Sequence, residues 1–364
     1  MKNFLKTALL AIIAINLIYC SDQNYRMVTI MNKDGSFQRT IYAEVDSSFV
    51  AGDMSKNPFL IEMDSCWKFI DINTEEVIND FLWDNAQTVK LGIRRQFSSF
   101  EEFNNLQFNE KNRHIINPEE TFRKKFKWFF TYYTYQSVYQ LDINEFLIPL
   151  DKYMTKTEQK IFLQGDLSTY KGWTGFEILE ELDVMKEKFE KWYWHNIYEL
   201  EFNSIYHFAK NHNLKYASQM PEVKDSLFNL YYNTDLEKFY FLNLDLTESL
   251  DKFFDTDEFF SLYTKYDEDI KKYSENQYQE FSILFSPQSI DYELILPGKL
   301  LQTNAMLISG DTLKWKVDTY RTLPSEYILS AQSRISNVWA FILTLLPVII
   351  SVYCFVKKRK YERG

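Results

Sequence analysis

Cysteine, histidine, proline and glycine are all scarce in this sequence: three Cys, four His, eight Pro and nine Gly in 364 residues. Cys20 and Cys354 fall in apolar runs near the two ends, which leaves Cys66 alone between them. A disulfide framework and a paired-cysteine zinc site are therefore both excluded, and Cys66 reads as a buried, inert thiol. The few glycines build no phosphate-binding loop and no Gly-x-Ser-x-Gly elbow. The histidines build no His-Glu-x-x-His pair, and no acidic run has the spacing of a calcium-binding loop.

Cationic charge is also short. The formal net charge is -10, and it is unevenly spread. Residues 21–337 carry 34 Lys and Arg against 50 Asp and Glu, a net of -16. A surface of that sign repels nucleic acids and, taken as a whole, anionic membranes, so no nucleic-acid partner is expected.

Long apolar runs occur only at the ends. Residues Val338 to Val356 contain no charge, and nineteen residues of helix span about 28 Å, close to a bilayer core. Arg334 precedes the run, and Lys357, Lys358, Arg359, Lys360 and Arg363 follow it. The sequence thus predicts a transmembrane helix over 338–356 and a basic cytoplasmic tail over 357–364, with the lipid bilayer as a partner. At the other end, Lys2 and Lys6 precede an apolar stretch from Thr7 to Tyr19 that reads as an export signal over 1–20. Such a layout puts residues 21–337 outside the cytoplasm.

The interior reads as α+β. Two β-rich runs, Met27–Met31 and Phe37–Val45, flank Asp34-Gly35, a strong hairpin signal. Along the second run Phe37, Arg39, Ile41 and Ala43 share one parity. Strands are also expected over Ile290–Leu296, Leu301–Ala305, Leu313–Val317 and Tyr327–Ser333, with further candidates at 89–100 and Phe126–Gln140. Residues 143–285 change character: apolar positions such as Ile178, Leu182, Met185, Phe189, Trp192, Leu200 and Ile205 recur at helical spacing. The pattern predicts one antiparallel sheet made from N- and C-terminal strands, with a helical segment inserted at 143–285.

The stretch LIYC, ending at Cys20, resembles a bacterial lipoprotein signal, although Tyr19 is bulkier than the family's usual residue before the cysteine. The front hairpin VTIMNKDGSFQRTIYAEV and the rear block ILPGKLLQTNAMLISGDTLKWKV are similar to a broad group of uncharacterised bacterial membrane lipoproteins of Bacteroidota style. The rear block also resembles the mycobacterial lipoprotein M type of domain through Pro297, Gly298, Asn304, Gly310 and Trp315. About a quarter of the chain is covered. The resemblance implies an exported fold anchored in a bacterial inner membrane, with lipidation at Cys20, and it carries over no catalytic residue.

The residues themselves select no catalytic group. His195 and Glu199 share a helix face and form half of a metal site; a histidine beside an acid is commoner in a core edge, so neither metal nor cofactor is expected. His207 and His212 are spaced less well. Glu180 with Glu181, the acids at 255–258 and those at 267–269 read as solvated faces or helix caps. The aromatic clusters at 131–135 and 192–194 read as core. The sequence therefore predicts a membrane-anchored extracytoplasmic binding or envelope-assembly protein with an envelope protein partner. The alternative is a cell-envelope hydrolase acting through acidic residues.

Overall fold

The computed structural model describes residues 24–78, 88–106, 118–141, 146–234, 242–274, 277 and 289–361. The expected export signal, Cys20 and the last residues of the basic tail lie outside these. The chain divides into two compact units, one of Asp142–Pro287 with Thr319–Ser325, the other of Asp22–Leu141, Gln288–Asp318 and Glu326–Gly364.

The second unit is a β-sandwich followed by the apolar helix. Its strands are β1 Asn24–Met31, β2 Phe37–Asp46, β3 Lys68–Asp71, β4 Thr88–Phe97, β5 Glu119–Lys127, β6 Phe130–Tyr139, β7 Ser289–Ile295, β8 Lys299–Thr303, β9 Leu307–Ser309, β10 Thr312–Asp318 and β11 Tyr327–Ser336. Two single helical turns, α1 Ser47–Val50 and α2 Phe100–Asn104, sit among them. One sheet has the order β3-β4-β2-β1-β7-β10-β9 and the other β5-β6-β11-β8. N- and C-terminal strands do share a sheet, but two expectations are corrected. Among the described residues there are two sheets rather than one, and the contact between the two ends is parallel, with Asn24 opposite Ser289 and Ile30 opposite Ile295. A hairpin would force antiparallel pairing; β1 and β7 are separated by more than 250 residues, so no turn dictates their direction.

The β1–β2 turn forms as its sequence dictates. Gly35 has φ +104°, and the Asp34 carboxylate accepts the Ser36 backbone N–H at 3.0 Å. Between the sheets lie Phe37, Ile41, Val45, Phe97, Tyr135, Tyr139, Ile290, Tyr292, Leu294, Leu329 and other buried residues. The strand candidate from Phe126 to Gln140 holds the end of β5, a turn and β6, with Lys127 paired to Phe130 across Trp128-Phe129. Neither loop residue has positive φ, so the usual two-residue turn chemistry is absent. Asn337 holds the turn from a distance: its Nδ2 donates to the Lys127 and Trp128 carbonyls at 2.9 and 3.1 Å, and its N–H to the Phe129 carbonyl at 2.8 Å.

Cys66 is exposed, against expectation. Its turn is set by Asp64, whose carboxylate accepts the Cys66 N–H at 2.9 Å, and the neighbouring Trp67 takes the place in the core. In the rear block Asn304 acts as a staple. Its Oδ1 accepts from Trp315 Nε1 at 3.0 Å and from the Ser330 N–H at 2.8 Å, while Nδ2 donates to the Ile328 carbonyl at 2.6 Å. Asn304→Ala leaves the indole N–H of Trp315, a residue 2% exposed, without its acceptor. The expected cost is about 2 kcal/mol, read as a lowered urea midpoint with an unchanged slope. An unchanged midpoint would show that water replaces the amide at no cost.

The helical unit contains α3 Lys156–Phe162, α4 Gly175–Asn211, α5 Met220–Thr234, α6 Leu242–Phe254, α7 Glu258–Lys265 and the turn α8 Thr319–Thr322. α4 runs 37 residues because both ends are specified. Thr174 and Glu177 form a reciprocal capping box at its start. At its end Asn213 takes φ +55° and the Leu214 N–H reaches back to the Ala209 carbonyl at 3.0 Å. The C-terminal half of α4 buries Tyr198, Phe202, Ile205 and Ala209 against Val223, Leu227 and Phe228 of α5, Leu246 and Leu250 of α6, and Phe259 and Leu262 of α7.

β11 leads almost directly into α9, Val338–Tyr361. Its segment Val338–Val356 has a mean hydropathy of 2.3 and is only 6% buried, which makes it long and apolar enough to cross a membrane.

Candidate metal centre

α4 places His195 and Glu199 one turn apart, so their side chains share a face. That face meets α5, held close by Tyr198, whose hydroxyl donates to the Lys224 carbonyl at 3.0 Å. The contact brings Lys224 and Asp225 beside the α4 pair. Ligand atoms of His195, Glu199 and Asp225 all lie within 4.8 Å of one another. His195 is 2% exposed and Glu199 4%, whereas Asp225 is exposed and opens the group to solvent.

His195 is fixed on every side but one. Its ring stacks on Phe228 at 4.0 Å between centroids, with the two planes nearly parallel at 12°. Nδ1 shares a hydrogen bond of 2.7 Å with the hydroxyl of Tyr153. Nε2 is buried with no hydrogen-bond partner and stands 3.5 Å from Glu199 Oε1. A buried imidazole nitrogen with an unused lone pair or proton is costly, and here it is aimed at a carboxylate.

Glu199 also faces a cation. Lys224 Nζ lies 2.8 Å from its Oε1 and 2.9 Å from its Oε2. Burial raises the carboxyl pKa, but the close contacts with His195 and Lys224 and the Lys224 charge outweigh it, leaving Glu199 below the usual glutamate range. The Tyr153 phenol is pushed up to about 12, by burial first and then by the charges of Asp225, Tyr232 and Glu199. It is thus a neutral hydroxyl at physiological pH, suited to hold the imidazole in one tautomer.

Two carboxylates and one imidazole with separate directions of approach are a donor set that suits zinc or a similar divalent ion. Tetrahedral zinc at about 2.1 Å from each ligand needs donor atoms about 3.4 Å apart. His195 Nε2 and Glu199 Oε1 already meet that separation, and the exposed Asp225 is free to swing in. With Nε2 as ligand, Nδ1–H would donate to the Tyr153 oxygen, an outer hydrogen bond of the kind that orients metal-bound histidines.

The other expected candidates separate. His207 hydrogen-bonds Asn211 at 2.8 Å and stacks on Tyr273, while His212 stacks on Tyr266. Glu180 and Glu181 are exposed on α4. In the 251–258 region it is Asp251 that caps α7, accepting the Phe259 and Phe260 N–H groups, each at 2.9 Å. Asp267 pairs with Lys271. Trp192 is fully buried and donates to the Ile148 carbonyl at 2.7 Å, and Thr131, Tyr133 and Tyr135 are buried, whereas Tyr132, Tyr193 and Trp194 are half-buried, so each cluster fills core with only part of its residues. The sequence half-site at His195 and Glu199 thus gains the members that spacing alone did not supply: Asp225, Lys224 and Tyr153. Asp225 follows Lys224 in an ordinary amphipathic helix, and only the α4–α5 contact marks it. Among the described residues His195, Glu199 and Asp225 form a candidate set of ligands. No family model, curated protein or solved structure matches this chain.

Proposed function

We propose that this is a membrane-anchored hydrolase of the bacterial cell envelope, working through a divalent-metal centre at His195, Glu199 and Asp225. The observation that carries the reading is the convergence of buried His195 and Glu199 with the exposed Asp225 at a solvent edge, their ligand atoms within 4.8 Å of one another. It favours the acidic hydrolase over the non-catalytic binder, because an imidazole and two carboxylates within reach of one ion are a donor set that a divalent metal can use. The C-terminal helix and its following cations support a cytoplasmic C-terminus with the folded units outside, and the lipoprotein resemblance supports the same side and attachment at Cys20.

A zinc ion held by these three residues would supply a water acidified to near neutral pH as the nucleophile. His195, Glu199 and Asp225 would hold the ion, and Lys224 Nζ, 2.8 Å from Glu199 Oε1, marks the same place as one where positive charge is favoured. The Lys224 ammonium on α5 would be available beside the site to stabilise anionic charge developing on an acyl or phosphoryl centre.

Zinc titration of the purified full-length protein, followed by metal analysis and calorimetry, should give one bound equivalent. His195→Ala should weaken binding by at least about 100-fold, since loss of outer hydrogen-bonding partners alone costs 10–100-fold. Tyr153→Phe should weaken it by roughly tenfold. Lys224→Met should bind zinc more tightly and show the larger zinc-induced rise in unfolding temperature, because the competing ammonium is gone and Glu199 is left unpaired without metal. Binding that ignores His195 sinks the metal centre. Tight binding at His195 with no turnover of ester, amide or glycan substrates would instead leave a metal-stabilised binding domain.

A further inference from the structure

The β5–β6 hairpin has a tip that its own turn chemistry does not explain. Trp128 Nε1 donates to Thr344 Oγ1 at 2.9 Å. Phe126 stacks on Trp339 at 6.2 Å and 3°, and Phe129 lies 4.7 Å from Phe341. Thr344 is six residues into α9, about 9 Å along its axis, so the tip runs beside the part of the helix that is apolar all round. Yet Phe126 is 56% exposed, Trp128 49% and Trp339 48%. Large rings massed around one helix end and left open are placed as interfacial anchors are.

The sheet behind the tip carries cations in register. Lys125 pairs with Tyr132, Tyr132 with Arg334, and Arg334 with Lys299, which makes one row across all four strands. Directly opposed residues share a face, so these three cations project from the same side. The row stands two residues, about 7 Å, behind the one that joins Lys127, Phe130 and Ser336 at the start of the helix, which is the depth of a headgroup layer. Lys127 lies 5.0 Å over the Tyr132 ring and Arg334 4.5 Å over Phe130. Among the described residues none of Lys125, Lys127, Lys299 and Arg334 has a carboxylate partner within ion-pair distance. In an exported region of net charge -16 that grouping is unusual, and it sits at the membrane end. Lys124 belongs to the other side of β5, near Asp34.

We propose that the hairpin tip is a second membrane contact: Phe126, Trp128 and Trp339 lie in the interfacial layer, and Lys125, Lys127, Lys299 and Arg334 bind the phosphates of anionic phospholipid headgroups. The acidic remainder of the unit is repelled by the same lipids, so the contact holds the sandwich at one tilt over the bilayer. This rests on α9 crossing the membrane.

The test uses the full chain reconstituted into phosphatidylcholine vesicles with and without phosphatidylglycerol. Flotation first establishes insertion. The emission lost on Trp128→Phe is then measured with lipids brominated near the acyl carbonyl, and co-purified lipid is counted by mass spectrometry. Shallow bromine should quench the Trp128 emission, and Lys125→Glu and Lys299→Glu should each lower the phosphatidylglycerol-to-phosphatidylcholine ratio by roughly fivefold. Protein that fails to float overturns the spanning helix and the proposal together. Floating protein whose Trp128 is open to aqueous acrylamide and untouched by bromine overturns the proposal alone. Bromine quenching with a lipid ratio unchanged by both reversals overturns the headgroup site.

Discussion

Replacing Glu120 by Gln is expected to lower the unfolding temperature of the β-sandwich by on the order of 10 °C. Glu120 and Arg39 meet between the two sheets with both side chains at 0% exposure. The guanidinium makes two parallel bonds, Nη1 to Oε1 at 2.7 Å and Nη2 to Oε2 at 2.8 Å. Its remaining donors go to Thr29 Oγ1 and to the Tyr292 hydroxyl, and Phe103 lies 4.1 Å from its centre. Tyr135 donates to Glu120 Oε2 at 2.8 Å. Burial pushes the Tyr135 and Tyr292 phenols up, so they stay neutral donors. For Arg39 burial works against the charge, but the Glu120 carboxylate outweighs it and holds the pKa above its ordinary value. The cation therefore cannot escape by losing its proton.

The substituted amide would keep the shape of the Glu120 side chain and remove the countercharge, leaving a buried guanidinium with one acceptor instead of two. Breaking a buried pair from one side costs about 3–5 kcal/mol, and in a unit of this size each kcal/mol shifts the midpoint by about 2–4 °C. The double replacement Arg39→Met with Glu120→Gln should recover a large part of the loss, because desolvation of the charge disappears along with its partner. Calorimetry on the full chain in detergent reads both. A Glu120→Gln shift no larger than that of Asn304→Ala would mean that water reaches the pair.

That network also shows how far the sequence was readable. Arg39 is on the same parity of β2 as Phe37, Ile41 and Ala43, and a cation on an apolar face is a visible signal of a buried partner. The partner was not visible, because Glu120 lies on another strand, 81 residues along the chain, and no spacing connects the two. Most strands of the N-terminal hairpin and the rear block follow from alternation and from Asp-Gly, Pro-Gly and Gly-Asp turns. The parallel β1–β7 pairing does not, since direction across a long insertion is set by packing. The β5–β6 hairpin was hidden for a related reason: its turn is closed by Asn337, more than 200 residues away. At the candidate metal centre, i,i+4 spacing exposed His195 and Glu199, while Asp225 and Tyr153 arrive through contacts between segments with no common period.

Gly298→Ala is the second large loss expected, and it bears on how the two ends of the β-unit are joined. At Pro297-Gly298 the chain leaves β7 in the seven-stranded sheet and enters β8 in the four-stranded one. Gly298 turns that corner at φ +89°, and a Cβ there would stand 2.4 Å from the Arg334 carbonyl oxygen and 2.5 Å from Ile335 Cγ1. The obstacle is largely backbone. Arg334 belongs to β11, which pairs with β6 over ten residues, and Ser333 Oγ fixes the corner by donating to the Pro297 carbonyl at 2.7 Å. Neither strand can yield without breaking ladder bonds. The left-handed conformation costs a side chain about 1–2 kcal/mol by itself, and the displaced backbone brings the expected loss to roughly 3 kcal/mol or more. Gly35→Ala is the matched control: its φ is +104°, but the added Cβ would only touch Phe122 at 3.7 Å, so the conformational cost should stand nearly alone. Hydrogen exchange separates the two. Gly298→Ala should speed exchange along β11 from Arg334 toward Ser336, the residues that deliver the chain to α9, whereas Gly35→Ala should leave β11 unchanged. Equal protection of β11 in both variants would show that the corner relaxes toward solvent, and that the close approach to Arg334 is not what requires glycine.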